Sequence, residues 1–162
     1  MKISGTVFRD GDIRFDDDGS QIVHYQGRGV LWSADEAEID EIVCAGGSGT
    51  TDCSTNMASW DPATNFMVLV SNKNVEYDTG GSTPTIPGAF QGVIYSTGTC
   101  LMHEGFKLSG PAICNRLDIA SSSQGWPTFY TWPPFGSLLD GQIYANTATA
   151  TAFNITLGSA DG

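Results

Sequence analysis

Apolar and polar residues alternate in short segments that recur along the chain, most of them at a fixed distance after a glycine. Four copies align without a gap and a fifth with one deletion: residues 5–16, 29–40, 67–78, 92–103 and 110–119. A partial sixth copy begins at Gly141 and resumes near Phe153. Repeats that are too short to bury an apolar face alone are typical of solenoids. The pattern therefore predicts that residues at equal offsets stack on one another.

Each copy contains two segments that we predict to be β-strands. The second segment alternates apolar, polar, apolar, which indicates one buried face and one solvated face. The first segment, such as residues 30–32, is apolar on both faces, so it is either covered on both sides or offers a contact surface. The core residues predicted from the second segment are Ile13, Phe15, Ile39, Val75, Tyr77, Met102, Leu117 and Ile119.

We expect a third segment to precede the glycine of each copy, as it does at residues 22–25 and 106–108. Three segments per copy indicate an all-β fold, a single right-handed parallel β-helix (β-solenoid) of about six coils, with the handedness taken from the general rule for parallel crossovers. We expect one domain over residues 1–162, with two long loop insertions at about 41–65 and 121–139. The acidic residues 34–42 have a local pattern of a helix, but they align with a strand in the other copies, and the repeat takes precedence.

Composition narrows the range of partners. The chain has 162 residues and a formal charge of -11, with only seven Lys and Arg. This balance argues against nucleic acid and anionic membranes, because phosphate binding needs a basic surface. No apolar run approaches the roughly eighteen residues of a membrane span, so no membrane insertion by this segment is expected. The expected partners are a surface glycan or a protein, and self-association through the solenoid ends is left open.

Four cysteines fall into two local pairs, Cys44 with Cys53 and Cys100 with Cys114. Four cysteines allow three connectivities, and the sequence does not choose among them. Zinc is the competing interpretation, but the chain lacks a Cys-x-x-Cys spacing. Disulfides in an oxidising, extracellular or envelope compartment fit the pattern better than the cytosol does.

Two of the aligned segments resemble a known group of proteins. Residues 5–15, GTVFRDGDIRF, and residues 92–100, GVIYSTGTC, resemble the β-solenoid region of bacterial type IV pilus-associated, minor-pilin-like surface proteins. That region shares its repeat style with bactofilins, the polymer-forming β-helices. The resemblance covers residues 3 to about 155 and implies an extracellular or envelope-associated structural or adhesion module, without cofactor or catalytic residues. The cysteines and long loops depart from the bactofilin pattern and argue against simple end-to-end polymerisation.

Stacking would place acidic residues in a column about 4.8 Å apart. This column contains Asp16, Asp40 and Asp78, followed by His103. Hard cations such as Ca²⁺ bind through several carboxylate oxygens, so the three aspartates are a candidate metal site. The alternative is a solvated acidic corner, because exposed charges mostly bind nothing specific. No recognised calcium-loop motif is present in the sequence.

Paired carboxylates also raise an enzymatic alternative, since many polysaccharide hydrolases and lyases are parallel β-helices. Glycosidase chemistry needs two carboxyl groups flanking a cleft, and Asp12 with Glu36 would lie on neighbouring copies. This alternative is an analogy at the level of the fold. The scarcity of Lys and Arg weakens it for a lyase.

The preferred contact site is a column that shares one offset in the first segment: Phe8, Trp32, Val70, Tyr95, Ile113 and Tyr144. If the column points outward, it forms a flat ridge suited to sugar rings or a partner protein. The alternative is that it points inward, or that the loop at residues 126–135 covers it. The candidate ligand contacts are Trp32, Tyr95 and Tyr144, together with Trp126 and Trp132 of the second insertion.

Overall fold

A computed structural model describes residues 1–15, 22–47, 52–77, 88–103, 105–120 and 125–130. The chain divides into two units, Met1–Tyr130 and Thr131–Gly162, and every described residue belongs to the first. The strands are β1 Lys2–Arg9, β2 Ile13–Phe15, β3 Ile22–Ser33, β4 Ala37–Ile39, β5 Ile42–Ala45, β6 Phe66–Ser71, β7 Val75–Tyr77, β8 Ala89–Gln91, β9 Val93–Met102, β10 Lys107–Ser109, β11 Ala112–Ile119 and β12 Thr128–Tyr130. Two short 3₁₀ helices, Cys53–Thr55 and Met57–Ser59, lie between β5 and β6.

The fold is all-β, and the described residues contain no α-helix. The twelve strands belong to one hydrogen-bonded sheet, which does not close on itself. Every strand pairing among the described residues is parallel. Parallel pairing requires a crossover between each strand and its partner, so each strand pairs with the corresponding strand of another copy.

The pairings form three ladders. The first ladder joins β1, residues 26–33 of β3, β6, the start of β9 and the start of β11. The second joins β2, β4, β7 and the last residues of β9 and β11. The third joins residues 22–25 of β3 with β5, β8, β10 and β12. One core cluster contains buried residues from all three ladders, for example Leu69, Val75 and Phe90.

The register of the first ladder confirms the repeat that the sequence predicts. Gly5 lies opposite Gly29, and Gly29 lies opposite Met67. The register shifts by one residue between Cys114 and Arg116, which is the single deletion needed to align the fifth copy. Equal offsets therefore stack in the copies that the structure describes, and the partial sixth copy lies outside the described residues.

Close stacking explains the glycine that begins most copies. A Cβ atom on Gly29 would lie 2.6 Å from the carbonyl oxygen of Gly5, which is far inside van der Waals contact. A Cβ atom on Gly110 would overlap the carbonyl oxygen of Gly92, and Gly110 also has a φ of +127°. An L-residue side chain is disfavoured at such a φ, so Gly110 is required on both steric and conformational grounds.

A column of buried serines fixes one corner of the stack. Ser33, Ser71 and Ser96 lie opposite one another in the first ladder, and all three are buried. The Ser71 hydroxyl can donate to the carbonyl of Asp35 or of Asn74, each at 2.7 Å, and it accepts from the amide of Lys73 at 3.1 Å. Because Asp35 belongs to the preceding copy, the hydroxyl joins two copies at their turns.

Most of the predicted core residues are buried: Phe15, Ile39, Val75, Tyr77 and Met102. Three others, Ile13, Leu117 and Ile119, are only half-buried because they lie in the first and last described strands of the second ladder. The acidic stretch at 34–42 contains β4 and the start of β5, so the repeat correctly overrides its helical pattern.

The structure differs from the sequence prediction at both expected insertions. Strand β5 lies within the range 41–65, where it pairs with β3 and β8. Strand β12 lies within the range 121–139, where it pairs with β10. Both strands belong to the third ladder, whose short segments have no glycine at a constant offset to reveal them.

Candidate functional site: the outer aromatic column

We use the name outer aromatic column for Phe8, Trp32, Val70, Tyr95 and Ile113, which lie opposite one another in consecutive strands of the first ladder. Phe8, Trp32, Tyr95 and Ile113 are 62%, 43%, 42% and 53% exposed, and Val70 is half-buried. The column therefore faces outward, which excludes the inward-facing alternative. Tyr144, the sixth member predicted from the sequence, lies outside the described residues.

The direction of the column follows from the alternation of side chains along each strand. The preceding residues Leu31, Leu69 and Ile94 belong to the core cluster and are buried. One apolar face of the first segment therefore fills the core, while its other apolar face meets solvent. Val7 occupies the equivalent inward position of β1 but is 50% exposed, since β1 is the outermost strand of its ladder among the described residues.

The rings of the column differ in orientation. Phe8 and Trp32 contact edge to face, with ring centroids 6.2 Å apart and ring planes at 71°. Tyr95 lies two strands beyond Trp32, which corresponds to about 10 Å along the stacking direction. The half-buried Val70 fills the position between them. The described column thus presents three aromatic and two aliphatic side chains in a line.

A polar edge of two uncharged residues lies beside the middle of the column. Asn72 immediately follows the end of β6 and Thr97 lies within β9, each two residues after a member of the column. Both are exposed, and the Thr97 hydroxyl donates to the backbone carbonyl of Asn72 at 2.6 Å. These two residues place uncharged hydrogen-bonding groups next to Val70 and Tyr95, whereas the equivalent position after Phe8 is the exposed Asp10. Neither Asn72 nor Thr97 is among the sites predicted from the sequence, although their offset from the column would have indicated them.

The first insertion lies against the starts of the same strands. The Trp60 ring stacks on Phe66, with centroids 6.1 Å apart and planes at 12°. The indole N–H of Trp60 donates to the carbonyl of Asn65 at 2.8 Å. Trp60 is 3% exposed, so it belongs to the packed wall beside the column rather than to the accessible surface.

Buried polar contacts hold this insertion in place. Gln91 accepts from the amide of Ala45 at 2.9 Å and donates to the carbonyl of Met57 at 3.3 Å. The Tyr25 hydroxyl donates to the carbonyl of Gln91 at 2.8 Å, and burial raises the pKa of Tyr25 above its ordinary range. Lys107 Nζ donates to the carbonyl of Ser54 at 2.9 Å. The contacts of Gln91 with Met57 and of Lys107 with Ser54 tie the insertion to the third ladder.

Of the three connectivities that the sequence leaves open, the structure has the one that joins the two local pairs. Cys44 pairs with Cys53 across Cα atoms 5.7 Å apart, and Cys100 pairs with Cys114 across 5.9 Å. All four cysteines are paired. The first disulfide joins β5 to the insertion. The second joins β9 to β11, where Cys114 continues the column of Ser33, Ser71 and Ser96.

The two carboxylates of the enzymatic alternative line one shallow depression of about 140 Å³, whose lining residues are Asp12, Arg14, Glu36, Ala37, Glu38 and Glu76. Arg14 pairs with Glu38 at 3.1 Å, and the two residues lie opposite each other in β2 and β4. The backbone amide of Glu36 donates to Asp12 Oδ1 at 3.3 Å, and Asn74 donates to Glu36 Oε1 at 3.3 Å. Both carboxylates therefore have partners that fix a turn, which is a structural use of their charge.

Other candidate residues are only partly described. Asp40 is half-buried at the end of β4, while Asp16 and Asp78 lie outside the described residues. In the described ranges, no group of three or more His, Cys, Asp or Glu side chains is arranged to hold a metal ion. The calcium site predicted from all three aspartates therefore stays a prediction.

Trp126 is 66% exposed and precedes β12 of the third ladder, so it is not part of the column, and Trp132 lies outside the described residues.

Comparison with known proteins does not assign the chain to a family. No protein-family model, curated protein or solved structure matches the chain. Across the described ranges, no helix has the length and apolar character needed to cross a bilayer. Function is therefore inferred from the geometry of the residues described above.

Proposed function

We propose that the chain is a non-enzymatic adhesion module built on a right-handed parallel β-helix. Three parallel ladders share one core, and corresponding residues of successive copies lie in register, which is the arrangement that coils of a β-helix require. The right hand follows from the rule for parallel crossovers. The scaffold would hold one repeated position at a regular spacing along its outer wall.

The same proposal places the module outside the cytosol, as part of a cell-surface or pilus-associated protein. The two disulfides support this placement because such bonds persist in oxidising compartments. The resemblance of residues 5–15 and 92–100 to pilus-associated β-solenoids agrees with it. A formal charge of -11 suits a soluble surface that does not bind nucleic acid.

The observation that carries the adhesion function is the exposure of the outer aromatic column. Large aromatic side chains are usually buried, and a contiguous exposed apolar line commonly marks a contact site. Here the exposed rings lie on a rigid sheet, so they need no rearrangement to meet a flat partner.

Retention of protein-coated beads under flow tests this function. Beads carrying the oxidised chain are passed over films of cellulose, collagen and polystyrene, and the triple variant Phe8→Ser, Trp32→Ser, Tyr95→Ser is compared with the wild type. We expect several-fold weaker retention of the variant on at least one film that holds the wild type. Equal retention of the two proteins on every film would refute an adhesive role for the column. A urea unfolding curve of the variant verifies that it is folded.

A carbohydrate-active enzyme remains the second candidate because Asp12 and Glu36 share one surface depression. Two carboxyl groups in a cleft are the minimum that glycoside hydrolysis requires. The test is a reducing-end assay on acidic polysaccharides, with Asp12→Asn and Glu36→Gln as variants. Activity in the wild type that both variants abolish would replace the adhesion proposal. We expect no activity in any of the three proteins.

A further inference from the structure

The outer aromatic column is long and narrow, which limits what it can bind. Five strands span about 19 Å along the stacking direction, and three outward positions span about 13 Å along each strand. The resulting face covers about 250 Å². A specific protein interface buries about 800 Å² per partner, so this face alone is too small for a protein or for a second copy of the chain. A single polymer chain lying along the column fits the shape.

Charge narrows the occupant further. The five positions of the column and the adjacent Asn72 and Thr97 carry no charge, and the one acidic residue at the equivalent offset, Asp10, follows Phe8 at the end of the column. The chain as a whole has a formal charge of -11. An anionic polymer would be repelled by the molecule's net charge. A cationic polymer would find no carboxylate within the column itself. An uncharged polymer fits both the local and the overall electrostatics.

The column and its polar edge match the apolar face and the polar rim of a sugar ring. The C–H faces of a pyranose pack on aromatic rings, and its equatorial hydroxyl groups need hydrogen-bonding partners at the edge. Trp32 and Tyr95 supply ring surfaces, while Asn72 and Thr97 supply polar groups without charge. Each pyranose is about as long as one strand spacing of roughly 4.8 Å, so successive sugars of an extended chain can follow successive strands.

We propose that the outer aromatic column binds an uncharged, extended polysaccharide chain that runs along the stacking direction of the strands. Trp32 is its main anchor, and the polar edge of Asn72 and Thr97 contacts the sugar hydroxyl groups. The proposal rests on the adhesion function above and names the class of ligand. A coiled α-linked glucan does not fit, because it cannot keep its rings on a straight line of side chains.

Affinity electrophoresis in native gels measures this binding. The gels contain hydroxyethylcellulose or galactomannan as neutral extended polymers, dextran as a neutral α-linked polymer, or polygalacturonate as an anionic polymer. We expect the first two to retard the wild type and the last two to leave its mobility unchanged. Trp32→Ala should weaken binding about tenfold. Trp32→Phe should keep most of the affinity because it retains a ring.

The matched control is Val7→Ala, which removes an exposed apolar group whose side chain points to the opposite side of β1 from Phe8. It should bind as the wild type does. Absence of retardation by both neutral extended polymers, or equal retardation of the wild type and Trp32→Ala, would overturn the proposal. Equal retardation by dextran would overturn the requirement for an extended chain.

Two further outcomes separate this inference from the proposed function. Column-dependent bead retention without polysaccharide binding would overturn the ligand class and leave the adhesion function standing. Loss of both would overturn the adhesion function as well. A dimer in sedimentation velocity that Trp32→Ala dissociates would identify the column as a self-association surface and so refute the polysaccharide proposal.

Discussion

Glycine can be required in this sheet for two physical reasons, backbone conformation and close approach of the next copy. Alanine substitutions of three glycines measure the two effects on stability separately. Gly5 has a φ of +73°, and an alanine Cβ at this position would have no heavy atom within 4 Å, so Gly5→Ala tests backbone conformation alone. Gly29 has no positive φ, but its Cβ would lie 2.6 Å from the Gly5 carbonyl oxygen, so Gly29→Ala tests close stacking alone. Gly110 combines a φ of +127° with overlap on Gly92.

The magnitudes follow from these geometries. Gly5→Ala should lower the free energy of unfolding by about 1 kcal/mol, because a left-handed alanine costs about 1–2 kcal/mol and the reduced freedom of the unfolded chain offsets part of it. Gly29→Ala should cost about 1–3 kcal/mol for overpacking against a backbone atom. Gly110→Ala should cost about 2–4 kcal/mol, since both effects act together.

Urea unfolding of the oxidised proteins measures these differences by linear extrapolation. Gly125→Ala is a second control for backbone conformation, since Gly125 has a φ of +98° and no atom within 4 Å of the position its Cβ would take. A Gly29→Ala protein as stable as the wild type would refute close stacking of the copies. A Gly110→Ala protein no less stable than Gly5→Ala would refute it independently.

Four other predictions follow from the same structure. Ser71→Ala should lower the free energy of unfolding by about 1 kcal/mol, because the hydroxyl that joins two copies is lost while its carbonyl partners keep other donors. Urea unfolding measures this loss, with the exposed Ser4→Ala as the control. The double variant Cys44→Ala, Cys53→Ala should cost about 3 kcal/mol by urea unfolding, from the restored freedom of a short loop. Burial raises the pKa of Tyr25 in the folded state, so its contribution to stability is complete below the ordinary tyrosine pKa and declines at higher pH; Tyr25→Phe should flatten that decline in alkaline unfolding curves. If Asp16, Asp40 and Asp78 bind calcium, the melting midpoint rises with calcium and Asp40→Asn removes the rise; an unchanged midpoint refutes that site.

The repeat made the register of the first two ladders predictable. Aligned glycines and the alternation around Arg14 and Glu76 defined which residues face one another and which enter the core. The third ladder was harder, because β8, Ala89–Gln91, is buried throughout and shows no alternation. Its strands also follow loops of different length, so no constant offset relates them.

The sequence predicts which residues form the outer aromatic column, but it does not predict whether their side chains face the core or the solvent. A strand that is apolar on both sides carries no signal of which side enters the core, so the exposure of Trp32 and Tyr95 depends on how three ladders pack around one interior. The position of Trp60 beside the column depends on long-range contacts of the insertion, including its disulfide and Gln91. Such contacts follow from the folded topology rather than from local sequence.

Nuclear Overhauser contacts in isotope-labelled protein test the central claim most directly. The claim is that equal offsets stack in parallel register with the outer aromatic column facing solvent. It predicts cross-strand backbone contacts that link Val7 with Leu31, Leu31 with Leu69, and Leu69 with Ile94. Contacts of antiparallel pairs would contradict the fold. A register displaced by one residue would turn the column into the core and contradict the function with it.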